Sequence, residues 1–133
     1  MVPDFERVEG RGLVKVFGST RALAGVDVVF EAGSVTVVEG PNGSGKSTLL
    51  NLLALLSRAT RGSLLFGRYE ANRAVWARAR IGMLAHESML YPDLNGEENL
   101  LLFARLYGID SPGERVAQLC ERFEIGPWKR SPA

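Results

Sequence analysis

The sequence predicts an α/β fold, and three observations carry the prediction. A glycine-rich octapeptide, Gly40-Pro41-Asn42-Gly43-Ser44-Gly45-Lys46-Ser47, lies between a β-branched run, Val35-Thr36-Val37-Val38, and a leucine-rich run, Thr48 to Leu53. Strand-type alternation with glycines at the joints dominates residues 1–85. Two helical patterns with N-terminal caps, opening at Asn95 and Ser111, occupy residues 86–133.

The octapeptide fits G-x-x-x-x-G-K-[ST], the phosphate-binding loop or Walker A motif, in the strand–loop–helix setting it requires. A chance match in a chain of this length has odds of roughly 1 in 200. The fold prediction narrows to a P-loop NTPase. Gly40, Gly43 and Gly45 lack a Cβ, so the backbone can turn tightly and reach φ > 0. Backbone N–H groups, including those of Asn42 and Ser44, can then converge on phosphate oxygens at the positive end of the next helix. Lys46 is placed to reach the β- and γ-phosphates of a nucleotide, as the catalytic lysine. The Ser47 hydroxyl is placed to ligate Mg2+, and Thr48 adds a hydroxyl near the α-phosphate.

Asp4 to Glu9 reads as a weak first strand, with a turn at Gly10 to Gly12 and further extended chain over Leu13 to Phe17. Gly18 to Arg21 reads as a loop, Val26 to Phe30 as a clearer strand, and Val35 to Val38 as a buried strand feeding the phosphate loop. The following helix is expected over Lys46 to Leu56, apolar nearly all round and therefore buried. Leu64 to Phe66 reads as a short strand ended by Gly67, Ala71 to Arg80 as a short helix with Arg73, Arg78 and Arg80 on a solvated face, and Ile81 to Ala85 as another buried strand. Asn95 with Glu98 resembles a capping box, and the helix it opens closes at Gly108. Ser111 with Glu114 is a second box with Pro112 at the first helical position. Its apolar stripe is Val116, Leu119, Cys120 and Phe123, and Gly126 closes it.

Composition sets the limits. At 133 residues the chain is one domain or part of one, with 46% hydrophobic and 23% charged residues. The net charge of +1 gives no bulk attraction to nucleic acid, and no nucleic-acid partner is expected. The single cysteine, Cys120, fits a reducing compartment. The longest apolar run, Leu49 to Leu56, is too short to span a bilayer, so membrane association is expected to go through a partner.

The order of these features resembles the ATPase subunit of ABC transporters. Lys15-Val16-Phe17-Gly18 followed by Ala22 to Val26 resembles the family's opening, where an aromatic residue stacks on adenine; Phe17 holds that position. Gly40 to Leu50 is close to the family's usual loop, Arg61-Gly62-Ser63 with Gly67 resembles its hairpin, and Leu94 to Leu100 resembles the "L-T-x-x-E-N-L" that opens its helical subdomain. The resemblance implies ATP and Mg2+ as ligands. It also implies a transmembrane permease subunit as partner, a homodimer or heterodimer of ATPase subunits, and a peripheral position on the cytoplasmic face of the cell membrane. On alternation alone Phe17 reads as a core aromatic, and it is the resemblance that favours adenine stacking. His86 stands where most members carry a glutamine that helps ligate Mg2+ and orient water. A histidine there resembles ATPases of the haem-exporter type in cytochrome c maturation. The bland alternative is a loop histidine with no catalytic part.

The family's signature "L-S-G-G-Q", magnesium-binding Asp, catalytic Glu and switch His are not in the sequence. The resemblance therefore implies an ABC-type nucleotide-binding domain, incomplete at the C-terminus, with a strand-rich core over 1–85 and the start of a helical subdomain over 86–133. Such a chain by itself is expected to hydrolyse ATP poorly. The alternatives are a non-catalytic ATP-binding fragment or another P-loop enzyme.

Overall fold

In the computed structural model, which describes residues 5–85 and 89–125, the alternating N-terminal stretch becomes one long hairpin. Strand β1, Arg7–Phe17, pairs antiparallel with β2, Thr20–Glu31. The turn expected at Gly10 to Gly12 is instead a bulge inside β1. Gly10 faces Val28 and Leu13 faces Val26, so β1 spends one more residue than β2 over this step. Gly12 takes up the surplus at φ 55, and its N–H donates to Asp27 Oδ1 at 2.7 Å. The bulge therefore has a side-chain plug, which a reading of glycines as turns misses. The loop expected over Gly18 to Arg21 shrinks to the tight turn at Gly18 and Ser19.

On its other edge β1 pairs with β3, Arg61–Phe66, which turns at Gly67 into β4, Tyr69–Glu70. The sheet order is β2-β1-β3-β4, antiparallel throughout the described pairs. Helix α1, Lys46–Leu53, packs Leu49 and Leu52 into a core that includes Leu13, Leu23, Leu64 and Phe66. An aromatic cluster fastens the β3–β4 hairpin to the segment after it. Phe5 meets Phe66 edge-on at 5.2 Å, and Trp76 lies 5.7 Å from Tyr69. The short helix expected over Ala71 to Arg80 is a 3-10 helix at Val75–Arg80.

Two expected strands are absent as strands. Val35 is 94% and Val37 75% exposed, and residues 35–38 carry no strand pairing. Residues 81–85 are likewise unpaired, with Leu84 100% exposed. A strand holds no hydrogen bonds of its own and needs neighbours on its edges, and a both-sided apolar run also needs cover on both faces. Among the described residues nothing pairs with either run.

Helix α1 is also shorter and less buried than expected, because it stops at a Schellman motif. Leu56 N–H donates to Asn51 O at 2.9 Å and Leu55 N–H to Leu52 O at 3.0 Å, with Leu55 at φ 58. Leu55 is only 9% exposed, and Arg78 donates to its carbonyl at 3.1 Å. Core burial and the arginine thus hold a leucine where glycine is usual, and Arg78 does more than solvate a helix face. Leu50 and Leu56 face out.

The second unit, Leu84–Ala133, contains α2, Gly96–Leu106, and α3, Pro112–Arg122. The capping box at Asn95 forms as expected: Glu98 N–H donates to Asn95 Oδ1 at 3.0 Å, and Asn95 N–H to Glu98 Oε2 at 2.8 Å. Ile109 N–H reaches Ala104 O at 3.0 Å past Gly108 at φ 65, a second Schellman end. The second box does not form. Ser111 sits at φ −122, ψ 72 and its side chain makes no cap, so Pro112 with its fixed φ is what starts α3. Of the α3 stripe, Val116 and Cys120 are buried against Ala104, while Phe123 is exposed.

The residue that turns the chain out of α3 is Glu124 at φ 54, ahead of Gly126, which lies outside the described residues. Ile125 N–H donates to Cys120 O at 3.0 Å, again the Schellman pattern. A non-glycine residue in this region carries a cost of about 1–2 kcal/mol, partly offset by the lower unfolded-state entropy of a residue with a side chain. Glu124→Gly is therefore expected to stabilise this unit by about 0.5–1 kcal/mol. Chemical denaturation of the two proteins checks it, and a lower midpoint for the variant would count against the assignment.

Candidate phosphate-binding site

The site is built from the loop between residue 39 and α1. Pro41 O accepts from Ser44 N–H at 3.2 Å, closing a turn across the octapeptide. Gly45 caps α1 at φ 93, a conformation in which a side chain is strained. A Cβ there would also run into the backbone carbonyl of Ala22 on β2 and lie 2.8 Å from Leu23 Cδ2. Both facts require glycine, and the second shows what holds the loop: it is backed directly by β2.

The helix N-terminus beyond Gly45 has no side-chain cap and no acidic residue in its first turn. Its N–H groups and the positive end of the helix dipole are thus left without a carboxylate to neutralise them. Lys46 Nζ donates to the carbonyls of Gly40 at 2.7 Å and Pro41 at 2.8 Å. The ammonium is folded over the loop it serves. Ser47 is exposed and Thr48 half-buried on the first turn, and Asn42, Gly43 and Ser44 lie exposed along the loop. The donor set is one of cations, N–H groups and hydroxyls, which fits an anionic phosphate chain. Ser47 supplies one oxygen suited to a hard divalent cation. Among the described residues no three His, Cys, Asp or Glu side chains gather as a metal site.

Phe17 ends β1 and is 53% exposed, so it is not a core aromatic. It pairs with Thr20 across the hairpin turn. Ala22, whose carbonyl backs Gly45, is two residues further along β2, or about 7 Å at the usual strand rise. The fold therefore brings the aromatic and the phosphate loop, far apart in sequence, to one end of the hairpin. Lys15 Nζ sits 4.8 Å from the Phe17 ring centroid and also donates to Arg58 O at 2.8 Å. No pattern along the chain points to this contact, because Arg58 lies in the connection after α1.

His86, expected as a catalytic residue, lies outside the described residues, as does Glu87. The segment that follows is described, and it is fixed by a residue whose role the sequence did not disclose. Asn99, 1% exposed on α2, accepts Tyr91 N–H at 2.8 Å through Oδ1. Its Nδ2 lies within 3.0 Å of Tyr91 O and Leu94 O and 3.1 Å of Asn95 O. The one available signal was an asparagine, a weak helix former, inside a leucine-rich helix.

A cavity of about 260 Å3, lined by Leu52, Leu55, Arg58, Leu64 and Arg78 among others, opens near the far end of α1. None of the loop residues 40–48 lines it.

Comparison with known proteins agrees with this geometry. A family model for ABC transporters matches residues 23–133. The daunorubicin/doxorubicin resistance ATP-binding protein DrrA of Streptomyces peucetius is 38% identical over 122 residues, covering 90% of this chain and 37% of that protein. The Fe(3+) ions import ATP-binding protein FbpC of Mesorhizobium japonicum is 39% identical over 116 residues, covering 84% of this chain and 32% of that protein. A solved structure titled as the ATP-binding subunit of an ABC transporter superposes with a TM-score of 0.76 at 26% identity, over 94% of this chain and 53% of that one. The chain belongs to the ABC transporter family and has the nucleotide-binding domain fold of its ATP-binding subunits. It spans about a third of the length of the curated relatives just named.

Proposed function

We propose that the loop Gly40 to Ser47 binds the phosphates of ATP, and that the complete protein couples ATP binding and hydrolysis to transport across a membrane. The observation that carries this reading is the loop itself: glycine-capped, backed by the Ala22 carbonyl and overhung by the Lys46 ammonium. Incoming β- and γ-phosphate oxygens offer Lys46 better acceptors than its own loop carbonyls, because the bonds become charge-assisted on both sides. The N–H groups of the first turn hold the remaining phosphate oxygens. Phe17 receives the adenine, since a π-face binds a base without needing hydrogen-bond partners. Ser47 holds Mg2+, which when bound neutralises charge on the β- and γ-phosphates. His86 follows as a residue that holds a water or accepts a proton.

Among the described residues no helix is long and apolar enough to cross a membrane. In this reading a transmembrane permease subunit supplies the pathway, at the cytoplasmic face of the membrane, and ATPase subunits pair as a homodimer or heterodimer. Met89, Leu90 and Tyr91 are exposed and stand just after His86. We assign them to the permease-facing surface. The finer reading of the cargo as haem rests on His86 alone, and the drug-resistance and iron-import names of the relatives above lend it no support.

The test is nucleotide titration of the full chain by calorimetry, with ATP and with inorganic tripolyphosphate. Both should bind. Phe17→Ala is expected to weaken ATP about 5- to 150-fold, the range of one base–aromatic stack, and to leave tripolyphosphate unchanged. No binding of either ligand would overturn the reading.

A further inference from the structure

We infer that Lys15 is a positioning residue for the base platform, pinning the Phe17 ring from one face so that a nucleobase stacks on the other. The inference rests on the reading of Phe17 as that platform. Phe17 ends a strand next to a tight turn and is half-exposed, so core packing does not fix its ring. The fixing comes from Lys15, two residues earlier on the same face of β1. Its ammonium lies 4.8 Å from the ring centroid, within cation–π range.

The lysine is itself tethered. Its Nζ donates to Arg58 O at 2.8 Å. That connection is in turn clamped to β1, because Thr60 N–H donates to Val14 O at 2.7 Å and Thr60 Oγ1 accepts Val16 N–H at 3.1 Å. The chain of contacts runs from the connection after α1, through Lys15, to the ring. A ring held in this way loses less freedom when a base stacks on it, and a platform set in advance raises affinity by that saving. The contact acts only through the ring, so it serves ligands that carry a base and not a bare phosphate chain.

The experiment titrates the full chain, Lys15→Met, Lys15→Arg, Phe17→Ala and the Lys15→Met/Phe17→Ala double variant with ATP and with tripolyphosphate. Lys15→Met keeps the stem and removes the ammonium. It is expected to weaken ATP about two- to fivefold, the scale of an exposed cation–π contact, with tripolyphosphate unchanged. Lys15→Arg should keep wild-type selectivity, and this holds the test open if loss of the Arg58 bond lowers the stability of Lys15→Met. In the Phe17→Ala background Lys15→Met should add no further loss. The inference is overturned alone if Phe17→Ala weakens ATP while Lys15→Met does not. It is also overturned if Lys15→Met weakens both ligands equally, which is a charge effect, or tightens ATP, which would put the ammonium on the face the base needs. If Phe17→Ala leaves ATP binding unchanged, or the wild type binds neither ligand, the platform reading and this inference fall together.

Discussion

Lys46→Met is expected to reduce the affinity for ATP and for tripolyphosphate together, by about 10- to 100-fold, while the fold persists. Hydrogen bonds to charged groups contribute about 1.5–3 kcal/mol, and Lys46 offers several to a phosphate chain. In the protein its ammonium donates to Gly40 O and Pro41 O, both on the exposed loop. Water can replace it there, so the cost to stability should stay below about 1 kcal/mol, a shift of a few degrees in the unfolding midpoint. Parallel loss of both ligands separates this residue from Phe17, whose substitution should touch ATP alone. Calorimetric titration beside a thermal melt checks both halves. An affinity within about twofold of wild type would remove Lys46 from the phosphate site.

The second large effect belongs to Asn99. Asn99→Leu keeps the volume but deletes an amide that serves both backbone groups of Tyr91. Leucine would leave Tyr91 N–H, which Asn99 now accepts, without a partner at a part-buried position. The expected cost is about 2–4 kcal/mol, from one lost acceptor, two or more lost donor contacts and the desolvation penalty of the orphaned groups. The consequence is local. Helix α2 keeps its capping box at Asn95, so its amides should stay protected, whereas the amides of Tyr91 and Leu94 should exchange much faster. Hydrogen exchange read residue by residue distinguishes this from general unfolding. Unchanged exchange at Tyr91 would show that the turn at Pro92 and Asp93 holds without the amide. In the proposed function this turn follows Met89 and Leu90 on the permease-facing surface. The same variant should then uncouple partner binding from nucleotide binding, with ATP affinity untouched.

What the sequence determined by itself is the chemistry that needs no neighbour. The octapeptide carries its own glycines, lysine and hydroxyls, so the phosphate loop is readable from order alone. Helix α2 is likewise readable from Asn95, Glu98 and Gly108, because a cap and a C-terminal glycine act within one turn of chain. Pro112 starts α3 for the same reason, through a φ fixed in its own ring. The tertiary structure decided whatever depends on a remote partner. Val35 to Val38 and Ile81 to Ala85 have strand composition, yet without a paired neighbour among the described residues they are not strands. Leu55 and Glu124 end helices in a glycine conformation, and for Leu55 burial and Arg78 supply the reason. The carbonyl of Ala22 against Gly45 and the Arg58 tether on Lys15 join groups separated by loops, and the two Asn99 bonds to Tyr91 cross the turn at Pro92 and Asp93. Hydrogen bonds and close approaches of that kind depend on where the backbone passes in space, and spacing along the chain carries no trace of them.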